Sequence, residues 1–104
     1  MKQSVQQDVP IRVRTPKGKE QIGYVEQLMG FAKFRVRCSD GKVRLCRVPG
    51  KLRRRLWIRA NDYVLVKPWD VQSDERGDVL YKYNPTQVSW LKKRGFLKSF
   101  EINL

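Results

Sequence analysis

The sequence predicts a mainly β fold: a small five-stranded barrel with a short helical turn between strands 3 and 4 and a C-terminal helix. Three observations lead there. Apolar and polar residues alternate in short runs such as Phe34-Arg35-Val36-Arg37-Cys38, which is the period of a half-buried strand. Turn signals at Gly30, Asp40-Gly41, Pro49-Gly50 and Asn61-Asp62 separate those runs. A chain of 104 residues with 40% hydrophobic side chains also has room for one small core only.

The elements follow in chain order. Residues 1–18 carry few large hydrophobes and read as a flexible N-terminal arm, although Ile11 and Val13 alternate with Arg12 and Arg14 as a short edge strand would. Ile22 to Leu28 is the first strand, with Gly23 inside it where a missing side chain allows sharp coiling. Phe34 to Cys38 is the second, and Asp40-Gly41 turns the chain back into the third, Val43 to Arg47. The phase of that strand is open, since Val43 and Leu45 share one face while Val48 falls on the other unless a bulge intervenes. After Pro49-Gly50, Leu52 and Leu56 stand four apart, as on one side of a helical turn. Tyr63 to Lys67 is a β-branched and aromatic fourth strand stopped by Pro68, and Val79 to Tyr83 is the fifth. Asn84 as cap, Pro85 at the first position and Gly95 past the end frame a helix, with Lys92, Lys93 and Arg94 in its last turn. Val88 and Leu91 share its packing face. Five short strands with one insertion after the third describe a Greek-key barrel of the OB type. The expected organisation is an arm at 1–18, the barrel at 19–84, and a helix with an apolar tail at 85–104.

Charge narrows the function. The chain holds 23 Lys and Arg against 10 Asp and Glu, for a formal net charge of +13 and a pI of about 10.3. Residues 33–59 alone hold 11 basic side chains and 1 acidic one, so the excess is a patch. Such self-repulsion is relieved by a polyanion, of which nucleic acid is the commonest. No His is present, which removes the usual general base and every His-dependent triad or metal site. Two cysteines cannot complete a four-ligand zinc site, so neither metal nor cofactor is expected and the chain reads as no enzyme. Cys38 reads as a small buried hydrophobe, with Cys46 on the opposite face and out of disulfide reach. No run approaches 18 apolar residues, so a monomeric cytoplasmic protein away from membranes is expected.

Two stretches carry the binding chemistry. If Phe34, Val36 and Cys38 point inward, then Lys33, Arg35 and Arg37 point outward at a spacing of ~6.6 Å, close to that of phosphates along a strand. Arg44 on the paired strand extends the row and Arg47 joins it. The second stretch runs from Gly50 through Lys51, Arg53, Arg54, Arg55 and Trp57 to Arg59, rich in the guanidinium groups that suit bidentate phosphate contacts. Trp57, between Leu56 and Ile58, reads first as core and second as a platform for base stacking. The outward rows display cations and not rings, the pattern of a reader of folded RNA backbone. Asp70, Asp74, Glu75 and Asp78 read as an acidic far face that stays off RNA. Phe96, Leu97, Phe100, Ile102 and Leu104 form an apolar end that packs on the body or docks a partner.

The chain resembles archaeal translation initiation factor 1A, a relative of the eukaryotic factor of that name and of bacterial initiation factor one. The resemblance rests on Arg35-Val36-Arg37-Cys38-Ser39-Asp40-Gly41-Lys42, on Arg44 to Arg53, on Trp57-Ile58-Arg59, on Val64-Leu65-Val66-Lys67-Pro68-Trp69, and on Tyr81-Lys82-Tyr83. It implies an S1-like OB-fold that binds rRNA of the small ribosomal subunit at the decoding (A) site, promotes subunit dissociation and stabilises initiator methionyl-tRNA. Carried over by position, the family's RNA contacts fall on Lys33, Arg35, Arg37, Arg44, Arg47, Lys51, Arg53, Arg54 and Arg55, with Trp57 and Arg59 added. The partners implied are the small subunit, the initiator tRNA complex and other initiation factors. The acidic C-terminal tail of eukaryotic members has no counterpart here, which leaves any contact with the GTPase initiation factor 5B to the apolar end. A cold-shock-like single-stranded RNA-binding protein is the alternative, and a nuclease a distant third.

Overall fold

The structure is a computed structural model and describes residues 13–30 and 32–100. Among the described residues five strands form, β1 (Gln21–Leu28), β2 (Lys33–Cys38), β3 (Val43–Arg47), β4 (Tyr63–Pro68) and β5 (Arg76–Lys82). They close into a barrel in the order β1-β2-β3-β5-β4, in which β3 and β5 run parallel and every other pair antiparallel. This is the OB arrangement, in which closure gives each of these five strands a neighbour on both sides. A 3-10 turn at Gly50–Leu52 follows β3, and helix α1 (Pro85–Lys93) follows β5. A second 3-10 turn at Lys98–Phe100 ends the described chain.

Closure depends on β1 serving both sides of the barrel. Its first half, Gln21 to Tyr24, pairs with β4 while Gly23 onward pairs with β2. Gly23 sits where the two pairings overlap. A Cβ there would lie 2.3 Å from Val36 Cγ1 and 3.0 Å from Val66 Cγ2. Gly23→Ala is therefore expected to destabilise the barrel by at least ~1–3 kcal/mol, the range for overpacked cores. A melting temperature within about 2 °C of the unsubstituted protein would contradict it.

Two apolar clusters result. Inside the barrel, Val25, Phe34, Val36, Val64, Val66 and Val79 meet Cys38, Cys46, Val48 and Ile58. Leu52 and Leu56 close that end, as their four-residue spacing predicts. Outside it, α1 and the segment after it cover β1 and β4 through Ile22, Leu65, Tyr83, Leu91 and Leu97. The helix begins with a capping box: Gln87 N–H donates to Asn84 Oδ1 at 2.8 Å and Asn84 N–H to Gln87 Oε1 at 2.9 Å. Gly95, at φ +83°, turns the chain back at the other end. Of the expected apolar end, Leu97 is buried and Phe100 meets Tyr63 edge-on, while Phe96 is exposed and stacks on Trp90. Ile102 and Leu104 lie outside the described residues.

Residues 1–12 of the expected arm also lie outside them, Ile11 among them, so the edge strand is described only at Val13 and Arg14, neither of which is in a strand. Val13 packs instead on the outer cluster, and the Tyr83 hydroxyl donates to the Arg14 carbonyl. Burial pushes the Tyr83 phenol up to about 12, which keeps that proton in place.

The open phase of β3 is decided by its neighbours. Arg44, Cys46 and Val48 face inward, and Val43, Leu45 and Arg47 outward. Cys46 therefore shares the interior with Cys38, contrary to the expected opposite faces. Cys46 pairs with Phe34, four residues before Cys38, so the two Cα positions are offset by roughly 13 Å along the strand. Both thiols are free, and burial raises both above the usual thiol range.

Candidate nucleic-acid interface

Strand alternation sets the outer face of β2. Lys33 and Arg35 are exposed, Phe34 and Val36 are buried between them, and Arg37 is partly exposed. On β3 the outward residue opposite Lys33 is Arg47, its direct cross-strand partner. Lys33, Arg35 and Arg47 thus gather on one stretch of sheet. Arg37 belongs to the same row but lies against rings, with its guanidinium carbon 5.6 Å from the Tyr24 centroid and 5.7 Å from that of Phe100. Glu26 stands 3.8 Å from its Nε.

Arg44 departs from the expected row. Its side chain is 3% exposed, and both Nη groups donate to the Asp40 carboxylate, at 3.1 and 2.9 Å. Its Nε donates to the Ser73 carbonyl. Burial alone would raise the Asp40 carboxyl, but the Arg44 hydrogen bonds and the Lys42 backbone N–H outweigh it and hold the group below the usual carboxylate range. Two-residue alternation places Arg44 opposite to Arg47, so once Val48 and Cys46 fill the interior Arg44 must point inward and find a carboxylate.

The connection after β3 holds the remaining candidates. Lys51, Arg53, Arg54, Arg55 and Arg59 are all exposed along it. Arg53 donates from Nε to the Val48 carbonyl at 3.2 Å, and with Trp57 it lines an apolar cleft floored by Ala32, Phe34 and Ile58. That cleft brings the connection beside the start of β2, where Lys33 begins the row.

Trp57 is 74% exposed, which corrects the expectation of a core residue. Ile58 takes the buried position instead, and the Trp57 carbonyl accepts from Lys82 Nζ at 2.8 Å, pinning the backbone while the indole projects outward. Trp57→Ala is expected to leave the melting temperature within about 2 °C, as for other surface substitutions. It should weaken RNA binding by ~1–3 kcal/mol if a base stacks there. A large drop in melting temperature would contradict the exposed placement.

The sequence reading missed Trp69. It lies partly buried between two arginines, with the Arg47 guanidinium carbon 4.9 Å and that of Arg76 6.0 Å from its ring centroid. Its indole N–H donates to Asp78 Oδ1 at 2.9 Å, and Arg47 Nε donates to the same oxygen at 3.2 Å. Asp78 therefore belongs to the cationic side and not to an acidic far face. The signal was present in Arg76-Gly77-Asp78-Val79, whose alternation starts β5 three residues before the expected Val79 and aims Arg76 and Asp78 outward.

A closed five-stranded barrel in this strand order defines a class of protein, the OB-folds, and this one carries outward cations on β2 and β3. The family model for translation initiation factor 1A / IF-1 matches residues 10–104. The translation initiation factor 1A of Pyrococcus abyssi is 56% identical over 91 residues, covering 88% of this chain and 80% of that protein. That of Methanothermobacter thermautotrophicus is 53% identical over 87 residues, covering 84% and 88%. Among solved structures, the solution structure of translation initiation factor one from the Wolbachia endosymbiont of Brugia malayi aligns with a TM-score of 0.51 at 30% identity, over 66% of this chain and 82% of that one. The chain belongs to the translation initiation factor 1A family, and its role is in translation initiation.

Proposed function

We infer that the protein binds rRNA of the small ribosomal subunit at the decoding (A) site through the outward cations of β2, β3 and the β3–β4 connection. The observation that carries this reading is the cross-strand placement of Lys33 opposite Arg47, with Arg35 beside them on the same outer face. Like charges facing each other across strands destabilise a sheet unless anions join them; Asp78 answers Arg47 at its Nε, and a phosphate backbone supplies further anions at that spacing. The contact set is Lys33, Arg35, Arg37, Arg47, Lys51, Arg53, Arg54, Arg55, Trp57 and Arg59, and it omits Arg44, which is committed to Asp40. The barrel acts by occupancy and not by catalysis. It fills a space that tRNA would otherwise take, promotes subunit dissociation and stabilises initiator methionyl-tRNA together with other initiation factors, in the cytoplasm and as a monomer. The arm at 1–18 and the C-terminal helix with its apolar tail at 85–104 flank the barrel domain at 19–84, and the apolar end at Phe100 to Leu104 is the surface offered to the GTPase initiation factor 5B.

Binding to isolated small subunits across a salt series tests the mechanism. Neutralising ~6–10 phosphates predicts a loss of about 10³–10⁵ in affinity between 50 and 200 mM salt. A flat response rejects it. The exposed indole of Trp57 favours a second reading, a binder of unstructured single strands by base stacking. That reading predicts equal affinity for a single-stranded RNA oligonucleotide and for the subunit, whereas a strong preference for the subunit excludes it.

A further inference from the structure

We propose that Lys33, Arg47 and Arg76 form a built seat for one backbone phosphate of the bound RNA, and that Trp69 and Asp78 are the positioning residues that hold Arg47 in shape. This seat rests on the RNA-binding reading above. Arg47 is fixed in two independent ways. Its guanidinium carbon lies over the Trp69 ring at 4.9 Å, and its rotation is set by the Nε bond to Asp78 Oδ1 at 3.2 Å. Asp78 is itself held by the Trp69 indole N–H at 2.9 Å, and Trp69 N–H donates to the Arg76 carbonyl at 3.1 Å. Three residues from three different strands or strand ends thus lock one another.

What the lock leaves open is the useful edge. The Arg47 side chain is 54% exposed, and the bond to Asp78 uses its Nε, so that bond leaves both Nη groups for a ligand. That edge is the one a guanidinium offers to two oxygens of a single phosphate. Lys33 is the cross-strand partner of Arg47, and Arg76 that of Leu45, so their side chains converge from β2 and β5. Together with Arg47, Leu45, Cys46 and Trp69 they line a cleft of about 180 Å³. A backbone phosphate fits that chemistry, and the rest of the RNA strand passes on along the β2 row. An arginine already ordered loses less rotamer freedom on binding than a free one.

The expected effect has an unusual sign. Asp78 is an acid within a cationic surface, and simple electrostatics says that removing it strengthens RNA binding. The lock says the reverse. Affinity for isolated small ribosomal subunits should fall about three- to tenfold in Asp78→Ala, the cost of re-ordering one or two side chains, although the net charge rises by one. Trp69→Leu should weaken binding by a similar factor with no change of charge, and Trp69→Phe, which keeps a ring, should recover part of it. In an Arg47→Ala background the Asp78→Ala loss should vanish, which a general loss of folding could not produce. If Asp78→Ala fails to fold, the Trp69→Leu and Trp69→Phe pair decides. Unchanged or tighter binding by Asp78→Ala, or an undiminished loss in the Arg47→Ala background, overturns the seat and leaves the RNA-binding reading standing. Failure of the unsubstituted protein to bind subunits overturns both.

Discussion

Replacing Arg53, Arg54 and Arg55 together with Glu is expected to abolish binding to the small ribosomal subunit. Each reversal removes one phosphate contact and adds one repulsion, and in the counterion picture the loss of three contacts flattens the salt slope by nearly three units. An affinity loss of at least about 10³-fold at roughly 100 mM salt follows. The three side chains lie exposed on the connection after β3, where Arg53 Nε donates to the Val48 carbonyl at 3.2 Å. Losing that bond costs about 0.5–1.5 kcal/mol, so the barrel should stay folded. Circular dichroism and a melting curve check the fold, and sedimentation with small subunits checks binding. Retained binding would move the interface away from this connection, and an unfolded variant would show that the segment is a structural plug.

The second large effect falls on stability and not on RNA. Asp40→Ala leaves the Arg44 guanidinium, 3% exposed, without its carboxylate. An uncompensated buried charge costs ~3–5 kcal/mol. In a domain of this size that lowers the melting temperature by roughly 12–40 °C. Arg44→Met removes the buried cation itself and leaves the Asp40 carboxylate, 29% exposed, in contact with water, so it should cost less than Asp40→Ala. The pH dependence has a definite sign. The Asp40 carboxyl is held below its ordinary value when folded, so its contribution is present above the unfolded value near ~4 and is lost as pH falls through the lower, folded one. Acid should therefore destabilise the unsubstituted protein more steeply than Asp40→Asn. Melting temperatures of Asp40→Ala and Arg44→Met that both match the unsubstituted protein would show that the pair carries no net stability.

Much of the fold was legible because its signals are local. Phe34-Arg35-Val36-Arg37-Cys38 alternates without ambiguity, Asp40-Gly41 supplies the turn, and Asn84, Pro85 and Gly95 frame the helix by their own backbone chemistry. The outward cations of β2 follow from the same alternation, because a strand has only two faces. Arg44 and Trp57 were misplaced for a different reason. Both sit where an apolar residue and a polar one compete for the interior, and the neighbours decide the winner. Val48 and Cys46 fill the space inside β3, which turns Leu45 out and Arg44 in, and Ile58 takes the buried place expected for Trp57.

Trp69 and Asp78 show the limit most clearly. They are nine residues apart in the chain, and Arg47 is more than twenty residues from either, so no spacing rule connects the three. Only the parallel pairing of β3 with β5 and the antiparallel pairing of β5 with β4 bring them to one oxygen atom. Period and turn chemistry act within a few residues and so are written in the order of the side chains. Which charges share a partner depends on barrel closure, and closure is a property of distances in space.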